Sequence, residues 1–138
     1  MIKELYEFFE KCPLLSGGEM NVDYLGSESG SYTIEPVPCE PVLKKYHTGG
    51  ERRQYTFRIA LRQNYRGSPA ENMQNEELCE KLADWVEECA EKGVLPELSD
   101  GKTAQEISVI TGGYMNDDSS GYARYQIGFR LVYTKISV

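Results

Sequence analysis

The residues able to do chemistry in this chain are few and stand apart. His47 is the single histidine, set between Tyr46 and Thr48-Gly49-Gly50. A general base needs an orienting partner and a dry cleft, and nothing beside His47 supplies either, so it reads as a solvated loop residue. Of the four cysteines, Cys12, Cys39, Cys79 and Cys89, no two form a CxxC pair, and none lies at zinc spacing from His47. They read as four reduced thiols; on one helix, Cys79 and Cys89 would stand ~15 Å apart along the axis, out of disulfide reach. Asn116-Asp117-Asp118-Ser119-Ser120 lacks the bidentate glutamate and the spacing of a calcium loop and reads as a polar hairpin tip. Gly49-Gly50 and Gly112-Gly113 match no phosphate-binding pattern, and Glu87, Glu88 and Glu91 read as the wet side of a helix. The expectation is therefore a non-enzyme with no catalytic residues, no cofactor and no metal. What remains is Arg58, Arg62, Arg124 and Arg130, four of the seven arginines, as a candidate interface.

The elements that carry those arginines are the strongest pattern in the chain. Over Arg53–Tyr65, Tyr55, Phe57, Ile59 and Leu61 alternate with Thr56, Arg58, Ala60 and Arg62. Over Gly121–Lys135, Ala123, Tyr125, Ile127, Phe129, Leu131 and Tyr133 alternate with Arg124, Gln126, Gly128, Arg130, Val132 and Thr134. Side chains of a strand point alternately to opposite faces, so both segments read as half-buried strands with arginine on the second face. At about 3.3 Å per residue they would span ~43 and ~50 Å, well beyond the usual ~17–20 Å. Strands of that length with a charged second face suggest a surface that packs on something else.

The rest of the chain supports a single domain over residues 1–138. Ile2, Leu5, Tyr6 and Phe9 recur at helical spacing and Pro13 stops them, predicting a short amphipathic helix over 2–12. Val22, Tyr24 and Leu25 could form a brief edge strand. Tyr32–Glu35 begins a strand that Pro36, Pro38 and Pro41 confine to an edge or end early. Asn64–Gln74 reads as a loop. Leu78, Leu82, Trp85, Val86 and Cys89 then form one helical stripe, with Asn75 suiting its start and Gly93 its stop. A strand over Thr103–Thr111, a tip over Gly112–Gly121 and the last long strand complete the order. The predicted fold is α+β: a mostly antiparallel sheet of about four strands, in two β-hairpins, with both helices on one face. Phe129 and Trp85 are predicted to be buried.

A net charge of −7 argues against a general nucleic-acid binder. The charge is uneven: Glu71 to Glu91 holds eight acidic residues against one lysine, so an acidic helical side could complement a basic sheet side. The opening MIKELYEFFEKC is too charged for a signal peptide, and no apolar run approaches the ~18 residues of a membrane span. A cytosolic origin is expected. The ten tyrosines, several within or beside the long strands, suit both sheets and interfaces.

The short N-terminal helix, RQYTFRIALRQNYRGSP, ELCEKLADWVEE and the closing ARYQIGFRLVYTKISV together resemble a known group. It is the tail-terminator or tail-completion proteins, often labelled minor capsid proteins, of long-tailed phages and prophages of Gram-positive bacteria. The similarity runs over roughly residues 1–136; Glu35–Pro41 and the Gly112–Gly121 tip fall outside the agreement. The resemblance implies a non-enzymatic subunit that caps the tail tube as a ring, often a hexamer, and helps join it to the head. Its partners would be copies of itself, the tail tube and head–tail connector proteins, with no membrane and no sequence-specific nucleic acid, though DNA could pass through the lumen. Its location would be the virion, and the host bacterial cytoplasm during assembly. The rival readings are a neck or head-completion protein, a small binding module outside phages, and a hydrolase or transferase.

Overall fold

The alternating segments become the middle of one sheet in the computed structural model, which describes residues 1–15, 20–22, 31–64, 69–117 and 122–136. In chain order the elements are α1 (Ile2–Glu10), β1 (Met20–Val22), β2 (Ser31–Val37), β3 (Val42–Lys45), β4 (Gly50–Asn64), α2 (Pro69–Glu91), β5 (Lys102–Asp117) and β6 (Tyr122–Ile136). A 3-10 turn at Pro13–Leu15 follows α1. The sheet runs β1-β2-β4-β6-β5, with β3 also paired to β4. Among the described residues only β1 against β2 is parallel. The fold is α+β with a mostly antiparallel sheet, as its residue pattern predicts.

Six strands stand where about four were expected, because two short ones accompany the four long ones. β1 is a three-residue edge containing Val22; Tyr24 and Leu25 lie outside the described residues. β3 and β2 are one arm in two pieces. β2 pairs Val37 with Thr56, and β3 resumes at Val42 opposite Arg53. Pro38 and Pro41 interrupt the arm between them, since proline lacks the ladder donor. The break is stitched to β4: Gln54 N–H donates to Pro41 O (2.9 Å), Gln54 Nε2 to Glu40 O (2.7 Å), and Thr56 Oγ1 to Val37 O (2.6 Å). The sheet is thus two long hairpins side by side. The first turns at Tyr46–Gly49, and the second joins β5 to β6.

The odd-numbered residues of β4 and β6 face both helices. Phe57 stacks on Phe129 at 5.4 Å, and Phe9 of α1 packs on both rings, at 5.9 and 5.7 Å. Leu82 and Val86 of α2 are fully buried in the same cluster with Ile107, Ile127 and Leu131. Phe129 is buried as predicted. Trp85 is only half-buried: it tilts against Phe8 and Phe9, and its outer edge lines a groove with Pro13, Leu14 and Lys81. It lies at the border of its stripe, where the helix surface turns towards water.

Two boundaries move outward from those the residue pattern predicts. Part of the expected 64–74 loop is helix, because α2 starts at Pro69. Proline at a first helical position sacrifices only a donor that has no partner there. α2 ends as expected: Gly93 takes φ 75°, Val94 N–H reaches Cys89 O and Gly93 N–H reaches Ala90 O. β5 runs through Gly112-Gly113 to Asp117, into the expected tip; residues 118–121 of that tip lie outside the described residues. Gly113 is there for packing. A Cβ on it would stand 2.4 Å from the Cβ of Cys79, so glycine lets α2 settle onto β5.

Candidate interaction surface

The even-numbered residues of β4 and β6 share the face turned away from the helices. Register places Arg62 opposite Arg124, Arg58 opposite Gly128, and Thr56 opposite Arg130. β2 adds Ser31, Thr33, Glu35 and Val37, and β5 adds Glu106 and Ser108. The fold therefore brings all four predicted interface arginines onto one surface, although they come from strands far apart in the chain.

The surface is more ordered than a set of cations standing in water. Arg58 Nε donates to Glu35 Oε1 at 2.9 Å, and Arg124 Nη2 donates to the same oxygen. Glu35 was missed by sequence reasoning, which treated its strand as a proline-broken edge; its place opposite Arg58 follows from strand register, which no local pattern signals. Thr33, Ala60, Gln126 and Val132 are buried on this helix-free face. Long arginine stems on the same face can cover such short neighbours while their heads reach water. Arg52 lies within 3.9 Å of Glu106 at the far end. Among the described residues, register sets Arg52, Arg58, Arg62, Arg124 and Arg130 on this face against Glu35, Glu106 and Asp117, so arginines outnumber carboxylates and the face is net basic.

The outer side of α2 has the opposite character. Glu80, Asp84, Glu87, Glu88 and Glu91 are all exposed, with Glu76 and Glu77 before them. Their i, i+4, i+7, i+8, i+11 spacing repeats that of Leu78, Leu82, Trp85, Val86 and Cys89, shifted by two positions. Two positions are about 200° around a helix, so the acidic stripe lies opposite the apolar one. With α2 on one side of the sheet and arginine on the other, the two outer layers carry opposite charge.

The residues first considered for chemistry stay apart. His47 is exposed in the β3–β4 turn, and a hollow of about 310 Å³ nearby is lined by Lys45, Tyr46, Glu51 and Lys135 without it. Among the described residues no three of His, Cys, Asp or Glu gather as a metal site, and no helix is long and apolar enough to cross a membrane. The four cysteines are free thiols. Burial pushes the Cys79 thiol up to about 12 and raises those of Cys12 and Cys89, so all three stay protonated and poorly nucleophilic at neutral pH. Cys39 is exposed beside the proline break.

Compared with known protein families and with curated proteins, the chain matches none.

Proposed function

We propose that this chain is a virion assembly protein: the tail-terminator, or tail-completion, subunit of a long-tailed phage or prophage. In this reading it caps the tail tube as a ring of identical copies and helps join tail to head, without catalysing a reaction. The observation that carries the reading is the opposite charge of the two outer layers, arginine on the open sheet face and carboxylates along α2. A ring closes through head-to-tail contacts, which need two different, complementary surfaces on each copy.

The sheet edges support faces over edges as the contact. Among the described residues β1 offers three, and the β5 ladder is interrupted by four register shifts. Short and bulged edges resist strand-to-strand addition. The resemblance of the two long strands and the tryptophan-bearing helix to tail-terminator proteins supports the same reading.

Electron microscopy of the purified protein, alone and mixed with tail tubes, tests it. Closed rings, seated on tube ends in the mixture, are expected. Monomers at every concentration together with bare tube ends would refute it.

A further inference from the structure

Arg130 differs from Arg58 and Arg124 on the basic face. Arg58 and Arg124 share Glu35, whereas the Nε of Arg130 is buried without a hydrogen-bond partner among the described residues. Across the sheet Arg130 meets only Thr56 and Ser108, neither of which can neutralise it. Two residues along β6, on the same face, Gly128 lies opposite Arg58 and lets the side chain of Thr111 come close over it. A Cβ there would press on the side chain of Thr111 at 3.1 Å. Beside it is a hollow of about 130 Å³ that Gly128 lines with Val37, Phe57, Arg58, Ile110, Thr111 and Gln126. At ~30 Å³ per water, that is room for a few waters or for the carboxyl end of one side chain. Ile110, 53 % exposed, forms an apolar lip.

We propose that this face seats α2 of a second copy of the chain, the hollow beside Gly128 receiving part of the helix surface and a carboxylate of the Glu80–Glu91 stripe meeting Arg130. The inference rests on the ring reading and names the contact within it. Charge complementarity selects the occupant, and the dimensions agree. The stripe from Glu80 to Glu91 runs about 16 Å along the helix. Arg58 to Arg62 spans about 13 Å and Arg124 to Arg130 about 20 Å along their strands. Arginine suits the role because its planar fork takes a carboxylate in two parallel hydrogen bonds. Arg130 is the clean probe, because replacing Arg58 would also strip a partner from Glu35.

Two variants of the full chain test the contact by sedimentation velocity at low salt. Arg130→Glu spoils the sheet side, and the double variant Asp84→Lys/Glu88→Lys spoils the helix side. Arg130→Gln, which keeps the length and removes only the charge, guards against a folding artefact, as do the circular dichroism and melting of each variant. Wild type is expected to associate at micromolar concentration and to come apart as salt is raised. Each spoiled variant alone should associate more than about ten-fold more weakly. An equimolar mixture of the two should recover dimers or larger species, because one contact stays intact between them and the two reversed charges can also pair. Rings from Arg130→Glu at wild-type concentration would overturn the seat and leave the ring standing. Absence of any such recovery from the folded mixture would do the same. A monomeric wild type would overturn both. Loss in Arg130→Glu of binding to a short DNA duplex, with self-association unchanged, would reassign the face to nucleic acid.

Discussion

Phe129 and Trp85 show how much one residue's setting decides. Phe129 is wholly buried between Phe57 and Phe9, so its ring has protein on every side. Phe129→Ala should cost about 3–5 kcal/mol in denaturant unfolding, the range for deleting a buried aromatic. Trp85→Ala should cost less than Phe129→Ala despite removing the larger side chain, because one edge of Trp85 already meets water. The reverse order would mean that the centre of the core lies under α2 and not between the hairpins. The alternation that marks Phe129 was plain in the sequence, since a strand offers only two faces. The position of Trp85 was not, because a helical stripe fades into its borders. Its contacts with Phe8 and Phe9 depend on where α1 lies, which no local pattern specifies.

At the scale of elements, Gly113 determines how closely α2 approaches β5. Gly113→Ala would set two Cβ atoms at 2.4 Å, both anchored to backbone, so strand or helix must shift. A loss of about 1–3 kcal/mol is expected, the usual range for overpacking. Gly112→Ala, with nothing within 4 Å of the added carbon, should change stability by under ~0.5 kcal/mol. Equal effects in chemical denaturation would show that the helix does not bear on that glycine. In the sequence the pair read as turn residues, because glycine that permits a close approach looks the same as glycine that permits a turn. The start of α2 was concealed as well, because Pro69 falls in the 64–74 stretch that read as a loop and serves as a first helical residue. The two long strands and the acidic stripe were legible because each repeats over many residues. The arm formed by β2 and β3 was half legible: the prolines marked the break, but only pairing with β4 shows that the strand resumes.

Across the whole molecule, the first helix is tied to the loop after α2 by one hydrogen bond. Ser99 Oγ donates to Glu4 Oε1 at 2.8 Å. That bond, helped by the backbone N–H of Glu4, lowers the carboxyl from 4.5 to about 2. A depressed carboxyl contributes stability above its unfolded value and loses it as pH falls through the folded one. Urea midpoints should therefore decline between pH 4.5 and about 2, and Glu4→Gln should flatten that decline. An identical slope in the variant would remove Glu4 from the account. The four arginines were legible as one face because their strands keep perfect alternation; Glu35 was not, since its membership depends on a register set by distant residues. That register has a further consequence, for which changes of length the chain can tolerate. Fifteen consecutive pairs hold β4 to β6 without a bulge. One residue inserted into or deleted from either strand would turn every side chain beyond it to the opposite face, sending arginines inward and aromatic rings out. β5 has already accommodated such irregularities at four register shifts. Descendants of this chain can vary the length of β5 and the turns, while β4 and β6 change residue by residue and keep their count.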